Sequence, residues 1–160
     1  MPTLLIIRHG LAEDFRLGLK DADRALTEEG WAKTRAAMKG LVRLGFQPTR
    51  GFHSPYRRAA ETMSCLQEAA GGFPMETSLG LLPNARPAQT DLWLRGFMAE
   101  ARPTDQIAVI SHQPLVSELV FHLTGHMVEM KKASCAILRW EDGAWHFERL
   151  FVPAELREGA

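Results

Sequence analysis

Blocks of consecutive apolar residues alternate along this chain with stretches in which apolar residues recur every three to four positions. Leu4-Leu5-Ile6-Ile7 is the first block, and Ile107-Ala108-Val109-Ile110 repeats it a hundred residues later. Four large apolar residues in a row suit a strand buried on both faces. Residues 50–54 and 75–78 read as two shorter strands. Helical spacing begins at Thr27, a plausible N-cap followed by Glu28 and Glu29, and runs through Trp31, Met38 and Val42 to Gly45. Gly30 in its first turn marks close packing. A second helix follows Pro55 over residues 56–70 and stops at Gly71-Gly72. A third is expected over about 90–101, with Leu92, Trp93, Phe97 and Met98 on its buried face, and a fourth over 115–124. Residues 135–140 and 145–152 flank Asp142-Gly143, a hairpin signal. Residues 11–24 and 79–87 read as loops, and 153–160 as a frayed tail.

Strands alternating with helices predict a three-layer α/β fold: a mostly parallel central sheet, helices on both faces, and a C-terminal antiparallel hairpin. At 160 residues the chain suits a single domain, expected over residues 1–152, with the tail beyond it.

Composition narrows the function. Nineteen basic residues balance nineteen acidic ones, so no net field favours nucleic acid or a membrane surface. Cys65 and Cys135 have no CxxC spacing and read as buried free thiols. No charged leader or membrane-length apolar run is present, and the expectation is a cytoplasmic monomer.

The chemistry sits where the apolar blocks end. Leu4-Leu5-Ile6-Ile7 gives way directly to Arg8-His9-Gly10, and the second block to Ser111-His112. Arg and His are costly to bury unpaired, so they belong at the carboxyl edge of the sheet, where open α/β sheets bind ligands. Right-handed crossovers bring Arg8, His9, the segment 54–58 and His112 to that one edge. Guanidinium groups there make a phosphate or carboxylate cradle. An imidazole buried beside cations is held neutral and able to attack phosphorus, and a second can donate to its oxygens. Arg57, one position from Arg58 on a helix, points about 100° away and is expected on the rim. His122 and His126 have the i,i+4 spacing of metal ligands but no evident third ligand, and no metal or cofactor is expected.

Arg8-His9-Gly10, Ser54-Pro55-x-x-Arg58-Ala59-x-x-Thr62 and Ser111-His112 together resemble the histidine phosphatase superfamily over residues 3–125. Arg24-Ala25-Leu26-Thr27-x-x-Gly30 and the stretch from Val109 to Val116 are similar to the small SixA-type phosphohistidine phosphatases. The resemblance implies a phosphoglycerate-mutase-like fold. It also implies a metal-independent phosphatase with His9 as nucleophile and Arg8, Arg58 and His112 around the phosphoryl group. The substrate would be a phosphorylated protein carrying phosphohistidine, or a small phosphorylated molecule. A mutase is disfavoured because the loops leave no room for an inserted cap, and a non-catalytic phosphoprotein-binding module would not require His9. Larger members of the superfamily carry a glutamate acid after the SPxxR helix, whereas residues 79–84 here contain no carboxylate. Glu13 and Asp14, just past the RHG turn, are the remaining candidates for an acid.

Overall fold

The computed structural model describes residues 1–158. Strand β1 (Thr3–Arg8) leads through the 11–26 loop, which contains a 3₁₀ turn at Asp21–Asp23, into helix α1 (Glu28–Arg43). Strand β2 (Arg50–His53), helix α2 (Arg57–Ala70) and strand β3 (Met75–Thr77) follow. A 3₁₀ turn at Leu79–Leu81 precedes helix α3 (Pro87–Met98), strand β4 (Gln106–Ser111) and helix α4 (Leu115–Thr124). The chain closes with strands β5 (Cys135–Glu141) and β6 (Ala144–Phe151) and a short helix α5 (Pro153–Arg157).

The six strands form one sheet in the order β3-β2-β4-β1-β5-β6, with β3, β2, β4 and β1 parallel and β5-β6 added antiparallel. The double burial of β1 shows in its alternation. Leu5 and Ile7 join the core under α1, α2 and α5, while Leu4 and Ile6 join the core under α3 and α4. All four are fully buried. Burying such a side chain contributes roughly 1.5–3 kcal/mol, so this one strand anchors both layers.

Local signals account for most boundaries. Thr27 caps α1 by accepting a hydrogen bond from the Gly30 amide at 2.9 Å. Gly30 is required by contact, since a Cβ there would lie 2.0 Å from the Leu11 carbonyl oxygen. Both cysteines are buried and free. Among the described residues, no helix is long and apolar enough to cross a membrane.

Two expectations are corrected. The segment 153–160 is not a frayed tail through its first five residues: α5 packs on α1, with Leu156 1% exposed and its carbonyl seated over Gly40. Glu155 secures it by accepting from the Val152 amide and the Arg149 guanidinium. In α3 the buried face is Thr90, Leu94 and Met98, whereas Leu92 is largely exposed. Thr90 occupies a core position because its hydroxyl donates to the Gly80 carbonyl at 2.7 Å.

Candidate active site

Parallel pairing sets β1, β2 and β4 level at their carboxyl ends: Arg8 lies opposite Ser111, and His53 opposite Ile110. The next residue of each strand leaves the sheet at the same height. His9 is tied to the Ser111 carbonyl and Ser54 to the Ile110 carbonyl, each through its amide at 3.0 Å. The structure therefore brings Arg8, His9, Ser54 and His112 to one edge of the sheet, and Arg58 reaches them from α2.

His9 is 6% exposed, and its Nδ1 lies 2.7 Å from the Gly10 carbonyl oxygen. A carbonyl only accepts, so Nδ1 carries the proton and Nε2 keeps its lone pair. That Nε2 accepts from Arg58 Nε at 3.3 Å. Burial pushes the His9 imidazole down to about 3, opposed by the Gly10 carbonyl and reinforced by His112, Arg58 and Arg8. The ring is neutral at physiological pH.

His112 faces His9 with ring centroids 5.0 Å apart. Its Nε2 is 2.7 Å from Ser54 Oγ, which also accepts from the Tyr56 amide at 3.2 Å. When the Ser54 hydroxyl donates to His112 Nε2, the ring proton sits on Nδ1, a buried atom without a protein partner. Burial and then Arg58 push His112 down to about 3 as well.

The two arginines reach the site by different supports. Arg8 donates through Nη1 to the Met130 carbonyl at 3.0 Å, while its Nε is buried and unpartnered. Arg58 is braced across its outer edge by Asp21, donating to the backbone carbonyl at 2.7 Å and meeting the carboxylate at 3.4 Å. Burial lowers both guanidinium pKa values; Arg58 adds to the effect on Arg8, and Asp21 opposes it on Arg58. Arg57 points outward to Glu61 at 3.2 Å, with its side chain 60% exposed.

The RHG turn is locked by α2 and α1. The Gly10 amide donates to Thr62 Oγ1 at 3.0 Å, and Thr62 donates onward to the Arg58 carbonyl at 2.8 Å. A Cβ at Gly10 would sit 2.0 Å from Thr34 Oγ1, so only glycine allows this approach.

Neither acid candidate is tied to the histidines. Glu13 braces the 11–26 loop, accepting from the Ala25 amide and from Arg16, and these contacts hold its carboxyl below the usual range. No hydrogen bond joins Asp14 to His9, Arg58 or His112 among the described residues. The carboxylate that does adjoin the site is Asp21, which sequence reasoning missed; its signal was an acid three residues before Arg24 in the motif loop. Gln113 was also missed. It donates to Met130, the carbonyl that holds Arg8.

The remaining histidines stay outside. His53 is tied to the Ser54 carbonyl, His122 to Asp91 and His146 to the Glu141 carbonyl, and His126 stacks on Phe147. Among the described residues no three His, Cys, Asp or Glu side chains cluster as a metal site.

A family model described as histidine phosphatase superfamily (branch 1) matches residues 4–82, which span the first two site segments. The protein histidine phosphatase SixA, solved with tungstate, superposes with a TM-score of 0.87, covering 96% of this chain and 99% of that one at 25% identity. The chain belongs to the histidine phosphatase superfamily. An uncharacterized chloroplastic protein of Arabidopsis thaliana is 27% identical over 94% of this chain and 77% of its own length. A 2,3-bisphosphoglycerate-dependent phosphoglycerate mutase of Maricaulis maris is 40% identical over 40% of this chain, a match that spans only 27% of the mutase.

Proposed function

We propose that this superfamily member is a metal-independent phosphatase that works through phospho-His9 and acts on protein phosphohistidine. The observation that carries the reading is His9 itself: neutral, with Nδ1–H on the Gly10 carbonyl and the Nε2 lone pair beside Arg58. In the first step Nε2 attacks phosphorus, the P–N or P–O bond breaks, and its electron pair leaves with the departing group. Arg8, Arg58 and His112 Nδ1–H receive the charge on the phosphoryl oxygens. In the second step water attacks phospho-His9, releasing phosphate and restoring the lone pair.

The leaving group selects the substrate. An alkoxide needs a positioned acid, a contribution of typically ~10²–10⁴-fold. The 3₁₀ turn at Leu79–Leu81 contains no carboxylate, and Glu13 is ionised and engaged within its loop. A protonated phosphohistidine ring leaves as neutral imidazole without such help. Alkaline quenching of turnover with labelled substrate is expected to leave label on His9, and phosphohistidine peptides are expected to turn over faster than alkyl phosphates. Label on another residue removes the mechanism. Sugar phosphates handled as well as phosphohistidine make the protein a small-molecule phosphomonoesterase instead.

A further inference from the structure

A carboxylate stands in a pocket built for an anion, and the two-step reaction leaves it unexplained. Asp21 Oδ2 lies 3.4 Å from Arg58 Nη2, on the guanidinium whose Nε contacts the His9 nucleophile. Its Oδ1 accepts from Arg24 Nη1 at 2.9 Å. Simple repulsion disfavours an acid beside a phosphoryl group. A bracing role for Arg58 does not require the charge either, because the Asp21 backbone carbonyl makes the shorter contact, 2.7 Å to Nη1.

Depth in the site suggests what the charge meets. His9 is 6% exposed and the Arg58 side chain 6%, whereas the Asp21 side chain is 41% exposed. The carboxylate therefore sits toward solvent from the nucleophile. A leaving group attached to a protein must also lie on the solvent side, because it departs opposite His9 Nε2. A phosphohistidine ring becomes cationic when its second nitrogen is protonated, and only then can it leave as neutral imidazole. Phosphate esters offer no such cation.

Resting on the phospho-His9 reading, we propose that Asp21 is a specificity residue that holds the phosphohistidine leaving-group ring in its protonated form. The groups facing Asp21 are Arg24 on its own loop, Arg58 on α2, whose guanidinium lies over the Tyr56 ring, and His112 beyond β4. Burial pushes Asp21 up, but Arg24 and Arg58 outweigh it and bring the carboxyl below its ordinary value, so it is ionised throughout the working range. An ionised neighbour raises the pKa of a bound imidazolium. Asp21 is thus suited to be a counter-ion rather than a proton donor.

The test compares Asp21→Asn and Asp21→Ser with the parent protein on a 3-phosphohistidine peptide and on p-nitrophenyl phosphate, across pH 5.5–9 (approximately the imidazole titration range). For the peptide, the alkaline limb of kcat is expected to move acidward. The loss expected above neutrality is on the order of 10-fold, the scale of one charge-assisted contact partly screened by solvent. The aryl ester is expected to lose much less than the peptide and to keep its alkaline limb in place, which also reports correct folding, and inorganic phosphate is expected to inhibit more tightly once the like charge is gone. Equal losses on both substrates would assign Asp21 to bracing Arg58, and a loss confined to poor ester leaving groups would make it a general acid; either overturns the proposal. An unshifted peptide profile overturns it while leaving the phospho-His9 reading intact. A parent protein labelled at His9 by the aryl ester yet inert toward the peptide removes the substrate assignment and the proposal with it.

Discussion

Replacing Gly10 by alanine tests whether the packing of the RHG turn sets the position of the nucleophile. A Cβ at residue 10 would lie 2.0 Å from Thr34 Oγ1, 3.3 Å from Thr34 Cβ and 3.4 Å from Leu26 Cδ2. Only the first overlap is severe, and it cannot be relieved cheaply, because Thr34 is buried on α1 and its χ1 is restricted in a helix. Overpacking of this kind costs roughly 1–3 kcal/mol. The turn can yield only by dragging Gly10 off Thr62, and a displacement of about 1 Å at a reacting group costs on the order of 10²-fold in rate. Gly10→Ala is therefore expected to lower urea stability by ~2 kcal/mol and kcat/KM toward an aryl phosphate by ~10²-fold. Thr34 Oγ1 is buried without a hydrogen-bond partner, so Thr34→Ala alone is expected to be nearly neutral. Combined with Gly10→Ala it removes the 2.0 Å overlap and leaves the 3.3 Å contact, restoring most of both losses. A double variant no better than Gly10→Ala alone refutes the argument, since the damage would then not arise at Thr34.

Two further outcomes follow from the site. Arg58→Ala is expected to cost several kcal/mol of transition-state stabilisation, on the scale of a lost charged donor in a dry site, whereas Arg57→Ala, paired only with Glu61 at the surface, is expected to be mild; equal losses in kcat/KM contradict the helix register. Folded His9 and His112 titrate near 3, below the unfolded value of about 6.5, so the unfolded chain binds protons the native state refuses. Stability is then complete above about 6.5 and falls toward pH 3 at up to ~1.4 kcal/mol per pH unit for each ring. Urea midpoints of His9→Asn and His112→Asn are expected to show a shallower decline, and a decline beginning only below pH ~4.5 would assign it to carboxylates.

What the sequence disclosed and what it hid divide along contact distance. Leu4-Leu5-Ile6-Ile7 and Ile107-Ala108-Val109-Ile110 announce doubly buried strands, because every residue of a central parallel strand is covered. Once those strands are parallel, His9, Ser54 and His112 must share an edge, so the cluster could be assembled without coordinates. The helix α5 stayed hidden because Pro-Ala-Glu-Leu-Arg has one buried side chain, Leu156, and its site on α1 depends on the absence of a side chain at Gly40. The face of α3 was misread because Thr90 is polar by composition yet buried with its hydroxyl donating to the Gly80 and Arg86 carbonyls. Asp21 was one acid among several in an aperiodic loop. Its selection depends on Arg58, 37 residues away, reaching back across it.

The place of β1 between β4 and β5 governs when the molecule can come into being. Residue 3 leaves the ribosome well ahead of its partners, residue 106 on one side and residue 139 on the other. Synthesis proceeds at roughly 5–20 residues per second, so Leu4-Leu5-Ile6-Ile7 spends several seconds as an unpaired apolar segment on each nascent chain. The strands that could cover it are still unmade for most of that interval. His9 leaves the ribosome ahead of β4, and it remains a solvated imidazole until that strand arrives with Ser111 and His112. The nucleophile therefore exists as a residue long before it exists as a site, and the interval is set by the hundred residues that separate β1 from β4.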